Sequence, residues 1–112
     1  MATDTIREQV RISSALLADF SNAISPFQKN VFIFAHRYVA GTDYTATNDI
    51  VIELDGAQEV LYCSTMEMIT TTTDIAHTVA ALSGTGRQGK SITTAATNAS
   101  SVSVHLFAIV RV

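Results

Sequence analysis

The sequence predicts a mainly β protein, an antiparallel β-sandwich or barrel with one N-terminal α-helix. Three observations carry this expectation. Ser101 to Val112 alternates strictly on one parity, with Val102, Val104, Leu106, Ala108, Val110 and Val112 all apolar. Side chains of a strand point to opposite faces in turn, so this stretch is a strand with one buried face. Similar extended patterns recur over residues 31–38, 49–54 and 58–68, separated by polar turns. Helical spacing is clearest before Pro26, in a segment that opens on a capping signal.

The chain has 112 residues, which fits one domain. We divide it into an N-terminal helix or arm over 1–26 and a β-sandwich or barrel domain over 27–112. A chain of this size buries roughly 65% of its unfolded surface, enough for a core without staples. Charged residues make up only 15% of the sequence, against ~25% in an ordinary soluble domain. So few charges suggest that part of the surface is hidden in an assembly. The net charge of −3 gives no basic footprint for nucleic acid. The single cysteine, Cys63, rules out an internal disulfide. No apolar run approaches the ~20 residues of a membrane helix, and the first residues lack the plan of a secretion signal.

Along the chain, Thr5-Ile6-Arg7-Glu8 has the form of a capping box, Thr accepting from a backbone amide while Glu reaches back. Ile6, Val10, Ser13, Leu17, Phe20 and Ile24 then recur in steps of four and three, a narrow helical stripe. Ser25-Pro26 ends it. Val31 to Tyr38 is apolar on both parities, the pattern of a central strand covered twice. His36 falls on its aromatic side and is expected to be a hydrogen-bonded core residue.

Ile50, Ile52 and Leu54 alternate with acidic residues, and after Asp55-Gly56 a second run holds Val60, Tyr62, Met66 and Met68 on one parity. These two runs look like a hairpin with an odd-length loop, which would set Ile52 opposite Val60. Residues 74–82 fit a short helix or a strand; the extended neighbours favour strand. Residues 84–89 form a Gly-rich loop, and Ser91 to Thr97 is a threonine-rich strand.

Gly84-Thr85-Gly86-Arg87-Gln88-Gly89-Lys90-Ser91 matches the phosphate-binding pattern GxxxxGK[ST]. In that motif backbone amides cradle phosphates, and a helix must follow the loop. Here β-branched residues follow, which favour a strand. Nucleotide binding through Gly84–Ser91 is therefore a remote alternative, and a flexible hairpin loop is the better reading. His36, His77, His105 and Cys63 show no metal-ligand spacing, so no metal site, cofactor or catalytic residue is expected. Tyr38 and Tyr44, beside the Gly41 loop, are the candidates for stacking on a sugar in the alternative reading of a carbohydrate- or ligand-binding β-module.

The Thr/Ala/Ser-rich strands, the Gly-rich loop at 84–89 and the hydrophobic last strand together resemble small structural proteins of tailed-phage virions. These are capsid cement or decoration proteins and fibre or collar domains. The resemblance covers the chain in style and rests on no diagnostic motif. It implies a non-enzymatic homo-oligomer, often a trimer, that binds other virion proteins such as the major capsid protein. It also implies a virion location after assembly in the host cytoplasm, with neither nucleic acid nor membrane as partner. The expected contact residues are Ile6, Val10, Leu17, Phe20 and Ile24 of the N-terminal stripe. Phe107 and Ile109 join them, because they make the last strand apolar on its outer face as well.

Overall fold

Eight strands follow one another in the computed structural model, which describes residues 2–10 and 31–112. They are β1 (Thr3–Gln9), β2 (Val31–Val39), β3 (Asp49–Asp55) and β4 (Glu59–Met68), then β5 (Thr72–Asp74), β6 (His77–Ala81), β7 (Gly89–Thr94) and β8 (Ser103–Arg111). They form two four-stranded sheets, ordered β1-β3-β7-β6 (sheet A) and β2-β8-β4-β5 (sheet B). The mainly β expectation holds.

Alternation builds the core. On β3, Ile50, Ile52 and Leu54 are fully buried, while Asp49, Val51, Glu53 and Asp55 between them are not. On β8, Val104, Leu106, Ala108 and Val110 face the same core, which Ile92 of β7 joins. Each fully buried Ile, Leu or Val contributes about 1.5–3 kcal/mol relative to exposure. Both strands are central in their sheets, which is why their patterns are the clearest in the sequence. The extended reading of 74–82 also holds, since β6 fills most of it and β5 ends at Asp74.

Four expectations are corrected. The capping-box segment is a strand: β1 pairs with β3 in parallel along its whole length, from Thr3 opposite Asp49 to Gln9 opposite Asp55. Ile6 and Val10 lie four residues apart, a step shared by helical and even strand spacing, so the pair could not discriminate. Val10 is buried, and its amide donates to the Asp55 carbonyl at 3.0 Å. The described part of the N-terminal segment thus belongs to sheet A, and the sandwich holds one parallel pair. Leu17, Phe20 and Ile24 lie outside the described residues.

Second, β3 and β4 form no hairpin. β3 pairs with β1 and β7, β4 with β8 and β5, so the chain changes sheets at Asp55-Gly56. Third, β4 carries a bulge between Val60 and Tyr62. One extra residue reverses the facing of everything after it. Cys63, Thr65 and Glu67 therefore pair with the buried residues of β8, and Tyr62, Ser64, Met66 and Met68 take the outer face. Glu67 is buried and accepts the Asn98 amide at 2.9 Å.

Fourth, β2 is an edge strand, not a central one. Tyr38 is buried, but Ile33, Ala35 and Arg37 are exposed. His36 is exposed too, its ring 4.7 Å from that of Tyr38, so it is no core residue.

Candidate functional site

The outer face of sheet B carries the apolar surface. The register sets Ile33 of β2 beside Ile109 of β8, and Ile109 beside Tyr62 of β4. One step along, Ala35, Phe107 and Ser64 form the next row. Ile33 is 68% exposed, Tyr62 55% and Phe107 38%, while Ile109 is half-buried. The rings of Tyr62 and Phe107 meet edge to face, 6.1 Å apart, an arrangement that favours a fixed aromatic pair. Phe107 and Ile109 were legible in the sequence. Ile33 was not, because the strand that holds it looked covered on both sides. Tyr62 faces outward only because of the bulge, which no local residue pattern announced.

Beside this face, sheet B forks. β5 pairs with β4 only from Met66 to Met68. The chain then leaves for sheet A, and Thr65 holds the departure point. Its buried hydroxyl donates to the Ile75 carbonyl at 2.7 Å and lies 2.9 Å from Nδ1 of His77. A hydroxyl has one proton to give. With that proton on Ile75, Nδ1 of His77 is the donor to Thr65.

The fork opens a cleft of about 550 Å³ lined by Tyr62, Cys63, Asp74, Ile75 and His77 among others. A thiol and an imidazole lining one cleft raise the question of a nucleophile. Burial pushes the Cys63 thiol up to about 11, so it is protonated near neutrality, and His77 is committed to Thr65. Among the described residues, burial and not an electropositive neighbour governs this thiol, whereas activation of a cysteine needs the latter. Among the described residues no group of three or more His, Cys, Asp or Glu side chains could hold a metal ion.

The Gly-rich loop joins β6 to β7, two antiparallel neighbours, and a strand follows it where a phosphate cradle requires a helix. Its arginine turns back onto the sheet. Arg87 holds Glu53 with both terminal nitrogens and reaches Asp55 at 2.9 Å, and Arg7 of β1 takes the other Asp55 oxygen at 2.7 Å. Hydrogen bonds from Arg7 and then Arg87 hold the Asp55 carboxyl below its ordinary range, and those carboxylates raise Arg87. The loop is therefore an ionic clamp on the end of β3.

Tyr38 and Tyr44 are 1% and 3% exposed. The Tyr38 hydroxyl lies 3.4 Å from Glu8, and that of Tyr44 is 2.7 Å from Ser101. Both phenols are raised, chiefly by burial. Their rings are core, so neither offers a face to a sugar.

No family model matches this chain, and neither a curated protein nor a solved structure is significantly similar to it.

Proposed function

We propose that this chain is a non-enzymatic assembly protein that associates with copies of itself through the outer face of sheet B. The observation that carries this reading is the apolar surface made by Ile33, Tyr62, Phe107 and Ile109 across three neighbouring strands. Scattered exposed apolar residues are ordinary, whereas a contiguous set on one face marks a contact surface. The three long strands of the face, β2, β8 and β4, lie about 4.8 Å apart and span roughly 430 Å². That is about half of the ~800 Å² per partner of a standard protein–protein interface. A 15% charged fraction supports the same reading. The resemblance to small tailed-phage virion proteins supplies the particle: a homo-oligomer decorating or stabilising a capsid or tail.

Light scattering on the full chain tests this. We expect a mass that is an integer multiple of the monomer's, lowered by Phe107→Glu with the β spectrum retained. Co-sedimentation with purified capsids or tails tests the particle role. A wild-type chain that stays monomeric at high concentration would overturn the proposal.

A further inference from the structure

We infer that sheet A continues from one copy into a second across a two-fold axis, through antiparallel pairing of β6 with the β6 of its neighbour. This rests on the reading that the chain assembles with copies of itself, and it adds a contact distinct from the face of sheet B.

A strand edge is a row of unpaired amides and carbonyls, and folded proteins guard such edges with charge, proline, bulges or brevity. The sheet edges of this chain differ in that respect. β1 carries Asp4, Arg7 and Glu8; β2 carries Arg37; β5 is three residues long. β6 reads His-Thr-Val-Ala-Ala, with no acidic residue, lysine, arginine or proline. Its residues from Thr78 to Ala81 are all exposed, and among the described residues only β7 pairs with it.

The register shows which backbone groups are free. The Ala95 amide donates to the Ala76 carbonyl and the Leu82 amide to the Gly89 carbonyl. In an antiparallel ladder bonded pairs recur every second residue. Thr78 and Ala80 therefore bond to β7, and His77, Val79 and Ala81 aim their amides and carbonyls away from the sheet. Setting Val79 opposite the Val79 of a second copy brings His77 opposite Ala81 and Thr78 opposite Ala80. All three outward residues then pair, giving about six backbone hydrogen bonds across the axis. Val79, 44% exposed, meets its own copy. Across the axis His77 lies opposite an alanine, and no like charges oppose one another. A strand that pairs with itself about a two-fold makes an isologous contact, so the second copy satisfies every free group without another partner.

Amide hydrogen exchange on the full wild-type chain, at low and high concentration, tests this directly. We expect the amides of His77, Val79 and Ala81 to gain protection as concentration rises, while those of Thr78 and Ala80 are protected throughout. Val79→Pro removes only an outward-facing amide, a position where an edge strand tolerates proline, and Val79→Lys sets two cations face to face. Both are expected to halve the mass seen by light scattering and to keep the β spectrum. Three alternating amides that exchange freely at every concentration would overturn the inference. So would protection independent of concentration, which would mean that the chain's own residues cover the edge. If Val79→Pro leaves the mass unchanged while Phe107→Glu lowers it, the edge contact falls and the face contact stands. The reverse result removes the face contact and keeps the edge. A monomeric wild-type chain removes both.

Discussion

Arg87 and Glu53, 34 residues apart in sequence, share two parallel hydrogen bonds of 3.1 Å each. The fork geometry of the guanidinium matches a carboxylate in a way an ammonium cannot. Arg87→Lys should therefore recover only part of the melting temperature lost in Arg87→Ala, with both losses shrinking at high salt. Thermal melts at two ionic strengths check this. Asp55 gives the pH dependence. Its folded carboxyl is held below its ordinary value, so it binds fewer protons than the unfolded chain near pH 4. The stability it contributes is complete above that range and declines as pH falls through the lowered folded value. Asp55→Asn should flatten the acid limb of a stability–pH curve.

Thr65 ties β4 to the strand switch through Ile75 and His77. Thr65→Val keeps the shape and deletes the hydroxyl, leaving the Ile75 carbonyl without that donor. We expect a loss of about 1–3 kcal/mol in urea unfolding, with Thr65→Ser losing less. Faster exchange of the Ile75 amide, which donates to the Thr65 carbonyl at 3.0 Å, would locate the damage.

The sequence disclosed best what lies at the centre of a sheet. β3 and β8 have neighbours on both sides and a buried face, so their side chains alternate cleanly and their patterns were legible. β1 was not, because Ile6 is the only apolar residue in a strand whose other inward positions are Asp4 and Glu8. Those acids are useful in place: Asp4 accepts from the Thr45 amide and Asn48, and Glu8 meets Tyr38. The β3–β4 pairing was misread because two alternating runs flanking Asp-Gly look alike in a hairpin and at a corner between sheets. Only long-range pairing with β8 decides between them. Half of the contact face, Phe107 and Ile109, was visible in local pattern. Ile33 and Tyr62 needed the sheet order and the bulge.

Gly89, the first residue of β7, and Gly86, in the loop before it, both have a positive φ, at 152° and 76°, but their surroundings differ. A Cβ at Gly89 would meet the Leu54 carbonyl oxygen and the Leu82 side chain, while one at Gly86 meets nothing within 4 Å. Gly89→Ala therefore adds overpacking to strain and should cost about 2–4 kcal/mol. Gly86→Ala carries conformational strain alone, about 1 kcal/mol. Urea unfolding of the two variants separates them.

Cys63 is half-buried, and burial pushes its thiol up to about 11. A raised acid favours the protonated form in the folded state. The associated stability is complete below the unfolded value of ~8.5 and is lost as pH rises from there toward 11. Labelling by a thiol-specific disulfide reagent should be slow at pH 8 and rise through pH 10–11. Rapid labelling of the folded chain at pH 7 would show a thiolate that this environment does not provide.

Tyr44 separates a core role from a ligand role. Its ring is buried, and its hydroxyl pairs with Ser101 at 2.7 Å across 57 residues. Tyr44→Phe keeps the ring and leaves Ser101 without this partner, so we expect a loss of about 1 kcal/mol. Tyr44→Ala removes the ring as well and should cost about 3–5 kcal/mol, the range for emptying an aromatic site in a core. A sugar-stacking tyrosine would behave differently: alanine there would abolish glycan binding and leave the melting temperature nearly unchanged. Calorimetric melts of the two variants, with glycan-array binding of the same preparations, decide the matter. A stable Tyr44→Ala chain that loses binding to one glycan would overturn the core assignment.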